Sequence, residues 1–323
     1  MVRTLDVDGL GPVSRIGLGT WQFGSREWGY GDAYADTAAR DIVRRARELG
    51  ITLFDTAEVY GFGRSERILG EALGADRTEV VVATKIFPVA PFPPVVRQRF
   101  HASARRLGLS RIPLYQVHQP NPVIRDSVTM PALRGLLDED RIGAVGVSNY
   151  SLARWQEADA ALGRPVVSNQ VQFSLARAAP LDDLVPFAER ENRLVIAYSP
   201  LAQGLLGGRY TVDNRPGGVR AVNPLFGTEN LRRIEPLLDL LRQVAEAHDA
   251  TPAQVALAWL IELPRVGVIP GASSVEQLEF NAAAGEIRLT ADEQTALTAA
   301  ARAFSPVSPA RTLVDGVRER LGL

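Results

Sequence analysis

The chain contains one lysine: taking Lys85 from the 36 basic residues leaves 35 arginines. Where guanidinium groups supply every other positive charge, a lone amine points to chemistry. Lysine is a compact ammonium that can sit in a dry pocket and tune a neighbour's acidity, which arginine does poorly. Lys85 closes the run Val80-Val81-Val82-Ala83-Thr84-Lys85, whose β-branched residues suit a strand covered on both faces. Three other residues have types that proton transfer needs. Asp55 ends Thr52-Leu53-Phe54-Asp55, Tyr60 sits in the loop Glu58-Val59-Tyr60-Gly61, and His118 ends Leu114-Tyr115-Gln116-Val117-His118. Asp55 can pair with Lys85 and hold it charged. An ammonium about 4 Å from a phenol oxygen stabilises the phenolate by about 4 kcal/mol at an effective dielectric of about 20. That is roughly 3 pK units, so the expectation is a Tyr60 drawn down from about 10 towards 7, a general acid at neutral pH. His118 adds a second donor or acceptor for an oxygen. The set suits protonation of a carbonyl oxygen that is becoming an alkoxide. It holds no strong nucleophile, which disfavours acyl transfer.

These residues need elements that bring them together. Gly and Pro between short apolar runs over 3–19 predict a hairpin leading into a first strand, 16–19. A helix is expected near 35–49, where Ala35, Ala38, Ala39, Ile42, Val43, Ala46 and Leu49 fall at helical spacing before Gly50. The alternation then continues. Strands are expected at 52–55, 80–85, 114–118, 142–147, 166–170, 194–198 and 266–269; helices near 65–73, 95–107, 130–138, 152–162, 181–191, 229–247, 252–262, 274–284 and 290–303. A Gly-, Pro- and Asn-rich stretch at 201–228 interrupts the pattern, and loops of that length are usually functional or disordered. The tail, 305–323, is partly Pro-rich and closes with a short helix on this reading. Eight short apolar strands, each followed by a helix, are the signature of parallel βαβ units. Within 323 residues they predict an α/β fold, a single-domain (β/α)8 TIM barrel over 1–323, with an N-terminal hairpin, a long loop after strand seven, and C-terminal helices and tail. No G-x-G-x-x-G follows the first strand, which weakens a doubly wound alternative.

The bulk composition narrows the field. A net charge of −1 gives no reason to expect nucleic acid or an anionic membrane as partner. There are no cysteines, hence no disulfide and no thiol nucleophile, and three separated histidines make a His-based metal site unexpected. No run of 18 apolar residues occurs and the N-terminus lacks a signal-like core, so the expected location is cytoplasmic. In such a barrel the chemistry sits at the C-terminal ends of the strands. There the sequence places Thr20 and Trp21, Asp55, Lys85, His118, Ser148 and Asn149, Gln170, Tyr198 and Ser199, and Gly271-Ala272-Ser273-Ser274. A reduction needs electrons from a cofactor, since no thiol or evident metal is present. Ser148, Asn149 and Gln170 offer donors and acceptors for a carboxamide, Tyr198 can stack on a flat ring, and the 271–274 turn opens a helix whose free N–H groups favour phosphate.

Taken in order, these motifs resemble the aldo-keto reductase superfamily over nearly the whole chain. Asp55-Thr56-Ala57-Glu58-Val59-Tyr60-Gly61, with Ser65-Glu66 and Leu69-Gly70 after it, is similar to the family's D-T-A-x-x-Y-G signature. Ala83-Thr84-Lys85, Val117-His118, Gly146-Val147-Ser148-Asn149, Asn169-Gln170, Tyr198-Ser199-Pro200-Leu201 and Ile269-Pro270-Gly271 stand in the family's order. The resemblance implies a catalytic tetrad. Tyr60 is the proton donor, Lys85 and Asp55 its tuners, and His118 orients the carbonyl. It also implies NADPH extended across the barrel mouth: Ser148, Asn149 and Gln170 on the carboxamide, Tyr198 on the nicotinamide, and Ser199, Pro200, Leu201, Ala202, Gln203 and Gly204 along the pyrophosphate. Gly19, Thr20, Trp21, Asp55 and Gly271 complete the expected cofactor contacts. Within the family the stretch Ser199–Gly204, then Gly208-Arg209-Tyr210 and Arg220, resembles the potassium-channel β-subunit and related bacterial reductases. That makes Arg209 and Arg220 candidates for the 2′-phosphate, and Ser273, Gln277 and Asn281 match the adenosine-binding helix. Phe280 departs from the family, which usually has Glu there, so NADH is not excluded.

Three functions follow for testing: an NADP-dependent reductase of aldehydes or ketones, a cofactor-binding redox-sensing regulatory subunit, and a phosphosugar barrel enzyme using Lys85 as a Schiff base. Phe87, Phe92 and Trp28 suggest an apolar substrate pocket; specificity is expected from the loops 21–30, 87–94 and 119–122 and from the tail. The partner is a small carbonyl compound, with no metal; the substrate itself and the oligomeric state are not written in the sequence.

Overall fold

The computed structural model describes residues 2–24 and 32–307. Trp28, most of the 21–30 loop and the end of the tail, with its expected short helix, lie outside the described residues. The chain opens with an antiparallel hairpin, β1 (Thr4–Val7) and β2 (Gly11–Ser14). Eight parallel strands follow: β3 (Leu18–Gly19), β4 (Leu53–Asp55), β5 (Val81–Ile86), β6 (Ile112–Val117), β7 (Ile142–Ser148), β8 (Ser168–Gln172), β9 (Leu194–Tyr198) and β10 (Val266–Val268). They pair in sequence order, and parallel bridges Ile16–Val268 and Gly19–Gly271 join the last to the first. Gly17 N–H donates to Val268 O at 2.8 Å and Val268 N–H to Arg15 O at 2.7 Å, so the sheet closes into a barrel. Helices α1 (Asp32–Glu48), α2 (Arg64–Leu73), α3 (Pro93–Leu107), α4 (Asp126–Asp138), α5 (Leu152–Leu162) and α6 (Leu184–Arg190) return the chain between strands. Helices α7 (Thr228–Arg233), α8 (Glu235–Ala247) and α9 (Pro252–Glu262) precede β10; α10 (Val275–Ala283) and α11 (Ala291–Ala303) follow it.

The period-2 alternation of each strand sorts its residues into two cores. Phe54, Val82, Ile86, Tyr115, Val117, Val145, Val147 and Val195 face the helices. Leu53, Val81, Ala83, Leu114, Ala144, Leu194 and Ile196 face inward and pack with Leu5, Val7 and Val13 of the hairpin, which plugs the N-terminal end of the barrel. Ser14 Oγ accepts from Thr52 N–H and Leu53 N–H at 3.0 and 3.1 Å, fixing the plug to β4. Above this apolar floor the inward parity continues as Asp55, Lys85, Gln116, Ser148, Ser168 and Gln170, all buried. The barrel is thus apolar below and polar at its C-terminal mouth.

Three expectations need correction. The helix expected near 130–138 begins at Asp126, four residues earlier, despite Pro131 inside it. Its first turn is held from outside: the buried Asp126 carboxylate accepts from Tyr150 Oη at 2.8 Å and Arg154 Nε at 2.6 Å. The single helix expected over 229–247 is two, because Pro236 has no N–H to give to Arg232 and the chain restarts as α8. The helix expected from 181 starts at Leu184, whose N–H donates to the Asp183 side chain at 2.6 Å.

Candidate active site

β4 and β5 are adjacent and parallel, with Asp55 opposite Ala83. Asp55 and Lys85 share the inward parity and meet inside the barrel. Lys85 Nζ donates to Asp55 Oδ1 at 2.6 Å, to Thr56 O at 2.9 Å and to Tyr60 Oη at 3.1 Å, and the side chain is fully buried. Gln170 Nε2 donates to the second carboxylate oxygen, Asp55 Oδ2, at 2.7 Å. The His118 ring stands edge-on to Tyr60 with centroids 5.7 Å apart. Four residues spread over 55–118 therefore form one cluster.

Electrostatics assign their charge states. Burial alone would lower the Lys85 pKa, but Asp55 and the Tyr60 oxygen outweigh it and the net shift is upward, so the amine stays an ammonium. An amine that is charged and holds three acceptors is a poor nucleophile, which counts against the Schiff-base reading. Burial raises Asp55 against the pull of Lys85 and Gln170. For Tyr60 the expected fall towards 7 does not occur. Burial, which disfavours the phenolate, exceeds the help from Lys85, and the phenol lies above its ordinary value of 10.0. Tyr60 is therefore a protonated donor with an ammonium in place to receive the charge it would leave behind. Burial and the Lys85 charge push His118 down to about 3, so its imidazole is neutral.

The loop holding Tyr60 is built from below and from the side. Ser65 Oγ donates to Thr20 O at 2.8 Å and lies 2.9 Å from Thr56 Oγ1. Buried Glu66 of α2 accepts from Thr84 Oγ1 and from Arg106 Nε, each at 2.6 Å. Sequence reasoning missed a second clamp, Glu58 with Arg99. Arg99 Nε donates to Glu58 Oε2 at 2.9 Å, with a further short contact from Nη2 to Oε1. The same carboxylate accepts from Phe87 N–H, and Arg99 Nη1 donates to Phe87 O at 2.6 Å. The clamp ties the Tyr60 loop to Phe87, whose ring stands edge-on to His118 at 5.7 Å. Gln116 was also missed, although its parity with Leu114 points it inward. It is paired in register with Lys85 on one side and Gly146 on the other. A Cβ at Gly146 would lie 2.3 Å from Ser168 Oγ and 2.9 Å from Gln116 Cγ, so any side chain here forces Ser168 and Gln116 to shift.

The candidate cofactor residues converge on the same mouth from β7 to β10. Asn149, with φ 62°, donates to Ser148 Oγ at 3.1 Å and to His118 O at 3.2 Å, and accepts from Tyr198 Oη at 3.0 Å. Ser148, Asn149 and Tyr198 thus form one polar group beside His118. Gln170 adjoins it, with one of its two amide N–H groups committed to Asp55. After Tyr198 the chain turns through Ser199, Pro200 and Leu201, and Ser199, Ala202, Gln203 and Gly204 all have left-handed φ, of 50°, 48°, 58° and 91°. Such strain collects at ligand clamps. Arg220 Nε donates to Gln203 O at 3.1 Å, and Arg209 stacks on Tyr210 at 4.6 Å, close to Gly204. Gly19 pairs with Gly271 across the barrel seam, Thr20 Oγ1 donates to Asp55 O at 2.9 Å, and Trp21 is exposed. At the start of α10, Ser273 N–H and Oγ both donate to Gln277 Oε1, at 2.7 and 2.6 Å. Asn281 Nδ2 holds Gly271 O at 3.2 Å, and its buried Oδ1 has no protein partner. Phe280, half-buried, contributes its backbone oxygen to Gln254 Nε2. The strained 199–204 turn with two guanidiniums, and an orphaned acceptor at Asn281, fit a long anionic dinucleotide.

Comparison with known proteins agrees with this geometry. The description "Aldo/keto reductase family" matches residues 15–302. An uncharacterized oxidoreductase of Mycobacterium tuberculosis is 75% identical over 320 residues, covering 99% of both chains. The NADH-specific methylglyoxal reductase of Escherichia coli is 31% identical over 90% of this chain and 96% of its own. A crystal structure of an aldo/keto reductase from Klebsiella pneumoniae in complex with NADP and acetate superposes with a TM-score of 0.74 at 29% identity, covering 95% of this chain and 97% of that one. Proteins of this kind bind NADP(H), and some use NADH. With barrel, cluster and sequence match in agreement, this chain belongs to the aldo/keto reductase family of NAD(P)H-dependent oxidoreductases.

Proposed function

We propose that the chain reduces aldehydes and ketones to alcohols with NADPH as reductant and Tyr60 as proton donor. The observation that carries this is the placement of Lys85 Nζ, 3.1 Å from Tyr60 Oη and 2.6 Å from Asp55 Oδ1, in a fully buried position. When bound, the nicotinamide supplies a hydride to the carbonyl carbon. The chain's own residues handle the oxygen. Tyr60 Oη–H donates its proton to the developing alkoxide, and Lys85 stabilises the charge left on the phenol oxygen. Asp55 keeps the ammonium fixed and charged. Neutral His118 orients the carbonyl oxygen from the other side.

On this reading Ser148, Asn149 and Gln170 hold the carboxamide, with Gln170 offering its oxygen and its second N–H. Tyr198 stacks on the ring, 199–204 line the pyrophosphate, and Ser273, Gln277 and Asn281 take the adenosine end. Arg209 and Arg220, gathered at Gln203 and Gly204, support NADPH over NADH through the 2′-phosphate. This arrangement, with Ser199–Gly204 and Gly208-Arg209-Tyr210, supports kinship with the channel-β-subunit-like branch. The test is steady oxidation of NADPH and of NADH by the purified protein with 4-nitrobenzaldehyde. Turnover at least tenfold more efficient with NADPH is expected. Cofactor binding without turnover would replace the enzyme with a redox-sensing subunit.

A further inference from the structure

Buried polar atoms without a partner are rare in folded proteins, and each calls for an explanation. Three of them lie together inside this barrel. Gln116 Nε2, Gln116 Oε1 and Ser168 Oγ have no hydrogen-bond partner among the described residues, and both side chains are fully buried. Neighbouring strands bring them into one row. Lys85 on β5 pairs in register with Gln116 on β6, Gln116 with Gly146 on β7, and Gly146 with Ser168 on β8. Gly146 keeps the row open between them. The point where its Cβ would stand is 2.3 Å from Ser168 Oγ and 3.3 Å from Gln116 Oε1, so both oxygens border the space that the missing side chain leaves.

The three atoms are complementary. A serine hydroxyl rotates and donates, an amide oxygen accepts, and an amide nitrogen donates. An acceptor for that nitrogen is close by. Asp55 Oδ1 is bonded to Lys85 and Oδ2 to Gln170, and each carboxylate oxygen has capacity for a second donor. Burial pushes the Asp55 carboxyl up, and Lys85, Gln170 and then Gln116 oppose it. The Gln116 amide therefore lies within electrostatic reach of the carboxylate, although its Nε2 is still unbonded among the described residues. We infer that Gln116 is a positioning residue: braced by the Ser168 hydroxyl across Gly146, it turns its Nε2–H to Asp55 as a third donor and keeps the carboxylate ionised against Lys85. This role rests on the reductase reading above, since it acts through Asp55 and Lys85 on the charge that Tyr60 leaves behind. Among the described residues the titratable groups around the row are Lys85 on β5, Asp55 and Tyr60 from β4 and its loop, His118 after β6 and Tyr198 on β9. β7 and β8 present Gly146 and Ser168, which do not titrate.

The test is kcat for 4-nitrobenzaldehyde at saturating NADPH, followed from about pH 5 to about pH 9 in wild type, Gln116→Leu, Gln116→Glu and Ser168→Ala. Gln116→Leu removes the donor and should move the acid limb of kcat up by about one pH unit and lower kcat at neutral pH by about fivefold. Ser168→Ala should move the limb the same way by less. Gln116→Glu is nearly isosteric and separates charge from packing. While protonated, the new carboxyl donates to Asp55 as the amide does. Once ionised, it sets a like charge beside Asp55 and a second negative charge near the Tyr60 oxygen. Its kcat should lie within about threefold of wild type at about pH 6 and fall at least about tenfold by about pH 9, where wild type stays flat. NADPH affinity, read by fluorescence titration, should stay within about threefold in every variant. Wild-type pH profiles in both Gln116 variants overturn the positioning role and leave the reductase intact. A loss of kcat that is the same at every pH marks packing alone and overturns the role as well. A wild-type protein that consumes no aldehyde with either cofactor overturns both readings. Should Gln116→Leu fail to fold, the Gln116→Glu profile decides.

Discussion

Replacing Lys85 by methionine removes the ammonium and keeps the hydrophobic stem. Two effects follow, and a second substitution separates them. Asp55 is 2% exposed and loses its counter-charge, and breaking a buried pair from one side costs about 3–5 kcal/mol of stability. The second effect is on chemistry. At the 3.1 Å separation of Lys85 Nζ and Tyr60 Oη, a full charge on the phenol oxygen is stabilised by about 5 kcal/mol at an effective dielectric of about 20. With roughly half a charge developed in the transition state, about 2–3 kcal/mol is lost, or about a hundredfold in kcat. Changing Asp55 to Asn as well removes the stranded carboxylate. The double variant Asp55→Asn/Lys85→Met should recover most of the lost thermal stability and none of the lost kcat. The assay is a thermal melt beside NADPH oxidation with 4-nitrobenzaldehyde for wild type and both variants. A Lys85→Met enzyme within threefold of wild-type kcat, or a double variant that regains rate with stability, would refute the reasoning.

Other predictions follow from the same geometry. With the Tyr60 phenol held above 10.0 by burial, kcat/KM for carbonyl reduction should show no basic fall below about pH 10; a limb centred near 7 in the pH profile would contradict this. His118 has a folded pKa of about 3 against 6.5 when unfolded, so the unfolded chain binds more protons between those values. Its contribution to stability is complete above 6.5 and is lost as pH falls from 6.5 towards 3. His118→Gln should therefore lose less stability than wild type between pH 7 and 5, read as urea midpoints. Gly146→Ala puts a methyl against Ser168 Oγ at 2.3 Å and should cost about 1–3 kcal/mol by thermal melt. Arg99→Lys keeps the charge but cannot reproduce the fork on Glu58 and the bond to Phe87 O. A fall in kcat of about tenfold with cofactor affinity unchanged is expected, as a near-attack geometry loosened by a fraction of an ångström.

Much of this was legible because strand parity is short-range information. The run Val80 to Lys85 announces a buried strand and its odd final charge, and the same parity puts Asp55 and Gln170 inside. What the residues cannot show is how much water the fold removes. Proximity of Lys85 to Tyr60 can be argued from type and order, and it suggests an acidified phenol. The full burial of Lys85 and the desolvation of the half-buried Tyr60 reverse that sign. Pairings between distant segments are also hidden. Glu58 and Arg99 are 41 residues apart, and nothing in either neighbourhood selects one guanidinium among 35. Gln116 was readable in principle, since it alternates with Leu114, but a single polar residue in a strand carries no address. The early start of α4 escapes because the bonds that hold Asp126 in its first turn, from Tyr150 and Arg154, come from the next βα unit.

The account stands or falls on the phenol. Tyr60→Phe removes one oxygen and leaves the candidate cofactor contacts in place. Cofactor affinity, read by NADPH fluorescence titration, should stay within about threefold while single-turnover reduction of 4-nitrobenzaldehyde falls by at least about a hundredfold. A Tyr60→Phe protein that binds NADPH normally and reduces the aldehyde at the wild-type rate would show that the proton comes from elsewhere.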